Sequence, residues 1–237
     1  MATYSHGEHD FYDKYRAKNG LVTDNKHTGT GTTDMYSLGA YSTWYRANGA
    51  YLDLVGNVSG IHNSYKSASG NASQNGFGIG VSAEVGRPWQ LGTSNWQIEP
   101  QAQLSYQYVH LNGFDDDVRH IDGQSDGTLR SRLGVRLAYN RGDHQQRTDT
   151  FYVTANVLHD FAGNSSKANI GRDNLKETYK RTWGEVGLGA QLPLSKATYL
   201  FGNVRYARSF GGSNDVFRSG NAARESVSGR IGLRYTW

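Results

Sequence analysis

Apolar and polar residues alternate with period two along most of this chain, in blocks separated by turn-forming residues. The clearest block runs from Trp96 to His110. Trp96, Ile98, Pro100, Ala102, Leu104, Tyr106 and Tyr108 share one face, and Gln97, Glu99, Gln101, Gln103, Ser105 and Gln107 share the other. A helix would mix these two sets on one stripe, whereas a strand separates them. From Phe77 to Trp89 the apolar set Phe77, Ile79, Val81, Ala83, Val85 and Trp89 opposes Gly78, Gly80, Ser82, Glu84 and Gly86. From Leu129 to Tyr139 the apolar Leu129, Leu133, Val135, Leu137 and Tyr139 oppose Arg130, Arg132, Gly134 and Arg136. The block Thr182 to Leu194 repeats the pattern, with Trp183, Glu185, Gly187, Gly189 and Gln191 on its polar side. Further strands are predicted at about 34–46, 50–62, 150–161 and 198–210, and a last one from Val227 to Trp237. A partial strand near the N-terminus brings the expectation to about ten.

The connections alternate in length. Short ones are Ala47-Asn48-Gly49, Gln90 to Asn95, Gly142 to Asp149 and Ser195 to Ala197; long, Gly/Ser/Asn/Asp-rich ones are expected at about 10–32, 63–75, 112–127, 163–179 and 211–225. Tight turns on one rim and long loops on the other suit an antiparallel barrel of the outer-membrane type. A soluble β-sheet would also alternate. These strands exceed its modal length of roughly 5–6 residues, however, and they bring charges into register at similar depth. The predicted fold class is therefore all-β, a transmembrane antiparallel β-barrel.

Composition removes the objections to that reading. Mean hydropathy is −0.69, but a barrel needs apolar residues only on its lipid side. No run approaches the roughly 18 apolar residues of a membrane helix. The 16 Tyr and 5 Trp suit interfacial aromatic girdles. Cysteine is absent, in keeping with a periplasm-facing route. A net charge of +4 with interspersed signs gives no phosphate-tracking block, so nucleic acid is not expected as a partner. The start MATYSHGEHD lacks a signal peptide's charged and apolar regions, so part of the gene product is expected to precede it.

The charged residues of the polar faces are predicted to face a lumen: Glu84, Glu99, Arg130, Arg132, Arg136, Glu185 and Arg205. Pairing among them is favoured over catalysis, and no enzyme activity is expected. Asp115-Asp116-Asp117 with Asp122 and Asp126 lacks calcium-loop spacing, and His6 with His9 is too small a set for a metal site. His159 and Asp160, adjacent on a strand, point to opposite faces and form no dyad. Nucleophile elbow, phosphate loop and dinucleotide fingerprint are absent, and no cofactor or metal is expected.

The chain ends Arg230-Ile231-Gly232-Leu233-Arg234-Tyr235-Thr236-Trp237. Arg230, Gly232, Tyr235 and Trp237 resemble the terminal signal read by the outer-membrane barrel-assembly machinery. An extended edge strand can be read by pairing with another sheet edge.

With these residues in view, the sequence resembles the pertactin-like autotransporter barrel family. The matching stretches are Trp96 to Leu104, Arg132 to Arg136, Trp183 to Gly189, Tyr51-Leu52-Asp53 and Gly232 to Trp237. The resemblance covers about 33–237 and assigns that span to the barrel, with 1–32 as a partial strand and long loop left from a truncated barrel start. It implies a twelve-stranded barrel of which about ten strands are present. It also implies residence in the outer membrane of a Gram-negative bacterium, contact with outer-membrane lipid and the assembly machinery, and export of an N-terminal passenger absent from this chain. Hairpin-like threading, driven by passenger folding outside rather than ATP, is the implied mechanism. The alternatives are a stand-alone outer-membrane barrel (adhesin, porin or outer-membrane protease) and a soluble β-protein.

Overall fold

The structure, a computed structural model, describes residues 1–16, 22–67, 70–115, 120–142, 148–162, 165–170, 173–178, 181–195, 197–210 and 225–235. The strands are β1 (Ala2–Arg16), β2 (Val22–Tyr45), β3 (Tyr51–Ser67), β4 (Gly70–Gly86), β5 (Trp89–Gln90), β6 (Trp96–Leu111), β7 (Phe114–Asp115), β8 (His120–Ile121), β9 (Gln124–Arg141), β10 (Asp149–Ala162), β11 (Ser165–Ile170), β12 (Asp173–Thr178), β13 (Thr182–Pro193), β14 (Thr198–Phe210) and β15 (Glu225–Tyr235). Ten long strands pair antiparallel in chain order, β1-β2-β3-β4-β6-β9-β10-β13-β14-β15, with β5 beside β6. β12, β11, β8 and β7 form a small second sheet. Among the described residues β1 and β15 do not pair, so the sheet is curled but open.

Because directly opposed residues share a face, the registers fix the two surfaces across the whole sheet. Glu99 opposes Arg136, Glu185 opposes Asn156 and Arg132 opposes Gln103 on one surface. Leu133 opposes Ala102, and Leu188 opposes Val153 and Val204, on the other. The polar surface lines the inside of the curl and holds the buried Asn63, Gln74, Glu99, Asn156 and Asp160. The apolar surface is turned outward, with Ile79, Val81, Val135, Val157, Val186, Leu188, Val204 and Ile231 all exposed.

The short connections after β2 and after β5 fold as tight turns. Arg46 and Ala50 close the first (Arg46 N–H to Ala50 O, 2.8 Å), with Gly49 at φ +79° and Asn48 Oδ1 accepting from Ala50 N–H. Gly92, at φ +61°, serves the turn between β5 and β6. Pro100 lies within β6 where the β4 ladder has ended at the Gly86/Gln101 pair and the β5 ladder begins at Trp89/Ile98. Its carbonyl accepts from Arg87 N–H there at 3.3 Å. The missing proline N–H faces the same gap, so no ladder bond is lost.

The long connections differ from expectation. Residues 10–32, expected as a loop, are mostly the outer arms of β1 and β2, paired as far as Arg16 and Val22. The 63–75 loop is reduced to the join between Ser67 and Gly70, which face each other. Within 112–127, β7 and β8 pair, and within 163–179, β11 and β12 pair. Residues 211–224 lie outside the described residues. The physical reason is that a two-stranded ladder satisfies its own backbone hydrogen bonds. It can therefore continue past the point where an apolar face, the signal used to find it, has stopped.

Candidate functional site: the polar interior and the closing strand

A belt of hydrogen bonds crosses the inner surface from β3 to β14. It begins at Tyr51, the first residue after the Arg46–Ala50 turn. Its hydroxyl lies 2.9 Å from Glu84 Oε1 and 3.0 Å from Glu99 Oε1, and accepts from Gln101 Nε2 at 3.1 Å. Gln101 Nε2 also donates to Glu99 Oε1 at 2.6 Å. Arg132 is the hub. It donates to Glu84 Oε2 (2.7 Å), Gln101 Oε1 (3.0 Å), Asn156 Oδ1 (3.1 Å) and Gln103 Oε1 (3.2 Å). Asn156 Nδ2 carries the belt on to Glu185 Oε1 at 2.8 Å, and Arg205 lies 4.0 Å from that carboxylate. Arg136 sits 3.6 Å from Glu99 and stacks over the Tyr152 ring at 4.4 Å. The guanidinium fork of Arg132 suits this multi-strand bridging in a way that an ammonium would not.

The structure thus brings Glu84 to Arg132, Glu99 to Arg136 and Glu185 to Arg205. Arg130 stands apart from that belt. It forms a two-pronged pair with Asp160, Nε to Oδ1 at 2.5 Å and the second nitrogen to Oδ2 at 2.9 Å. Sequence reasoning missed Asp160, Asn156, Gln101 and Tyr51 as partners. The available signal was parity, since Asp160 and Asn156 share the polar face of β10. Asp53, directly opposite Glu84, keeps a buried Oδ1 without a hydrogen bond. Arg132 is the cation paired with Glu84.

Nearer the long-connection rim a second, uncharged cluster occupies the same surface. Thr33 donates to Asn63, while Asn63 and Tyr65 both donate to Gln74; Gln74 in turn donates to the Asn112 carbonyl at 2.8 Å. Tyr65 stacks on Phe114 with ring centroids 5.4 Å apart.

In the closing strand, the register with β14 puts Arg230 and Gly232 on the inner surface, and Ile231, Leu233 and Tyr235 on the outer one. Trp237 lies outside the described residues. Gly232 has a physical reason to be glycine: a Cβ there would meet the Phe201 ring at 2.5 Å. Gly189 beneath Tyr152 and Gly86 beneath Tyr51 repeat that arrangement along the same rim.

Other candidate chemistry is dispersed. His6 pairs with Asp34 on the outer surface, whereas His9 has the opposite parity. His159 bonds Thr182 while Asp160 turns inward to Arg130. Asp115 and Asp122 flank His120 at 2.7 and 3.7 Å, and Asp116 and Asp117 lie outside the described residues. The Asp115 hydrogen bond, helped by its charge and that of Asp122, raises the His120 pKa above the ordinary histidine value. Among the described residues no three His, Asp or Glu side chains are grouped to hold a metal ion.

The family model described as "Autotransporter beta-domain" matches residues 1–205. The chain is 28% identical over 244 residues to the adhesin BmaC autotransporter of Brucella suis, covering 95% of this chain and 7% of that protein. It is 31% identical over 192 residues to the pertactin autotransporter of Bordetella parapertussis, covering 76% of this chain and 20% of that protein. The chain therefore spans only a small part of the length of these two relatives. Among solved structures, the translocator domain of the autotransporter NalP from Neisseria meningitidis superposes with a TM-score of 0.67 at 19% identity, covering 99% of this chain and 75% of that one. That likeness shows a shared β-barrel fold.

Proposed function

This chain belongs to the autotransporter β-domain family, and from that membership we propose that it is an outer-membrane translocator that exports or displays a passenger fused on its N-terminal side. The observation that carries the reading is the inversion of its two surfaces. Charged residues are buried and hydrogen-bonded inside, while large aliphatic residues are exposed outside. Lipid satisfies the outer surface, and a polar interior lets a chain pass without meeting an apolar wall. In this reading Glu84, Glu99, Arg130, Arg132, Arg136, Glu185 and Arg205 face the lumen. Their pairing keeps the wall rigid and engages all three glutamates. Outer-membrane lipid is one partner. The barrel-assembly machinery is another, reading Arg230, Gly232, Tyr235 and Trp237 on the closing strand. No cofactor takes part.

The test uses the full-length gene product in a Gram-negative host. Outer membranes are isolated and gel mobility is compared with and without boiling, while intact cells are treated with protease. A heat-dependent shift with protease-sensitive passenger at the surface is the expected result. A shift with no upstream passenger would point to a stand-alone barrel. A soluble product with no shift would overturn the membrane reading altogether.

A further inference from the structure

Four of the eight histidines occupy one recurrent place on the outer surface. Each lies on the first strand of a hairpin, towards the long-connection rim, with Nδ1 aimed at an oxygen of the second strand. The pairs are His6 with Asp34 Oδ1 (2.8 Å), His62 with Asn75 Oδ1 (2.8 Å), His110 with Ser125 Oγ (2.8 Å) and His159 with Thr182 Oγ1 (3.0 Å). The fifth hairpin, β14–β15, has Arg208 with Glu225 at 3.7 Å in the corresponding place. The registers confirm a common face: His62 opposes Asp34, His110 opposes Phe77, His159 opposes Ser131 and Arg208 opposes Gly184. His6 and His62 share one rung with Asp34, and from there the series shifts towards the short-turn rim by two, then six, then two residues. Ten residues over the eight strand steps from β1 to β14 is about the average slope of a ring on tilted barrel strands. The six-residue step between His110 and His159 spreads the groups into a band on the outer face, towards the long-connection rim.

The chemistry of the ring follows from its acceptors. The carboxylate of Asp34 and the amide oxygen of Asn75 can only accept, so Nδ1 of His6 and His62 carries the proton. In the neutral imidazole Nε2 is then a lone pair; after protonation it is an N–H donor with a positive charge. Asp34 faces both His6 and His62 and also accepts from Tyr4. His62 Nε2 lies 3.3 Å from Ser64 Oγ. Glu8, Asp10 and Lys66 share the outer face further out, with His27 on Asp10 at 3.3 Å. The groups facing His110 are Phe77 and Ser125, and those facing His159 are Ser131, Thr182 and Phe161, all uncharged.

We propose that His6, His62, His110 and His159, with Arg208, form an acid-dependent collar that binds the phosphate groups of lipids in the outer leaflet. The proposal rests on the outer surface facing lipid, because that turns these side chains towards the membrane. Unprotonated, His6 and His62 offer Nε2 lone pairs, beside one salt-bridged arginine. In the protonated form each histidine offers a second N–H donor and a positive charge to anionic oxygen. His110 and His159, which no carboxylate faces, contribute most of the pH response.

The experiment takes the full-length gene product from outer membranes into neutral detergent. It measures retention of fluorescent phosphatidic acid, with phosphatidylcholine as control, at about pH 5.5 and about pH 8. Retention of phosphatidic acid is expected to be about tenfold higher at the lower pH, and the H110Q/H159Q variant is expected to lose most of that difference while keeping its heat-dependent gel shift. Should the double variant fail to show the shift, H110Q alone carries the test, with about half the loss. An unchanged pH response in either variant overturns the collar, as does equal retention of phosphatidylcholine. Displacement by millimolar inorganic phosphate alone would make it a site for the free anion rather than for lipid. A wild-type protein with no gel shift overturns the membrane reading and the collar together. A normal shift with no pH-dependent retention overturns the collar alone.

Discussion

Glu99 and Leu133 sit on adjacent strands of one sheet, three rungs apart, yet Glu99 is 7% exposed and Leu133 is 63% exposed. In a water-soluble domain those values would be exchanged, because charged residues are rarely buried and aliphatic ones usually are. The difference teaches that burial here is set by two environments. Inside the curl, the buried polar groups, Asp53 Oδ1 excepted, are enclosed by other polar groups that satisfy them, so enclosure costs little. Outside, apolar side chains stand clear of protein, as the proposed outer-membrane role requires of a surface that meets hydrocarbon.

Breaking the outer half of this comparison has the largest expected effect. Leu133→Arg places a charge midway along β9 on the outer surface. Denaturant unfolding of the full-length product in lipid vesicles is expected to show a loss of about 2–4 kcal/mol. A loss of only a few tenths would mean that water, not lipid, bathes that face. Next comes the inner half. Arg132 is 17% exposed and Glu84 18%, and Arg132→Ala would leave Glu84, which faces Asp53, without its cation. A loss of about 2 kcal/mol is expected in the same assay, lower than for a fully buried pair because both side chains are partly exposed. Arg132→Lys should recover only part of it, since the fork is lost.

Gly189→Ala sharpens the comparison by testing close approach rather than charge. The added methyl group meets the tip of the Tyr152 ring, which must swing away and leave Arg136 without its stacking partner. A loss of about 1 kcal/mol is expected, and pairing it with Tyr152→Ala should remove the effect. Arg208→Ala should matter least. Both Arg208 and Glu225 are mostly exposed, so a change under about 0.5 kcal/mol, vanishing at high salt, is expected. Outside the sheet, NMR titration should find His120 titrating above about 6.5. Because its pKa is raised in the folded state, the Asp115 contact favours the folded hairpin at low pH and is lost as pH rises through the raised value. Asp115→Asn should bring the titration back down.

The strands that cross the apolar band were legible because each carries a one-sided label. Trp96 to Tyr108 and Phe77 to Val85 could be read without any partner, since lipid demands apolar residues at every second position. The arms of β1 and β2 at 10–32 carry no such label. The sequence there mixes Phe11, Tyr12 and Tyr15 with charged and small residues in no one-sided period, and only the partner strand shows that they pair. The glutamates and arginines of the belt were legible by parity, but their pairing was not. Arg130 and Arg132 are two residues apart on one face, and only the register decides that one meets Asp160 and the other Glu84. Asp160 was hidden by its neighbour, since His159 drew the reading towards a dyad that the pleat forbids.

The neighbour order of the ten long strands is their order in the chain. Such a sheet has low contact order for an all-β protein, because every ladder joins segments that are adjacent in sequence. It can grow by adding one hairpin at a time to an existing edge, and no step requires a distant segment to thread between strands already paired. The belt obeys a different rule. Arg132 on β9 reaches Glu84 on β4 across the whole width of β6, and Tyr51 on β3 reaches Glu99 on β6 across β4. No single hairpin contains these contacts, and they mature only after several hairpins have docked in correct register. The ladder can therefore form early and reversibly, while the interior side chains act as a late proofreading step that holds only the correctly aligned sheet.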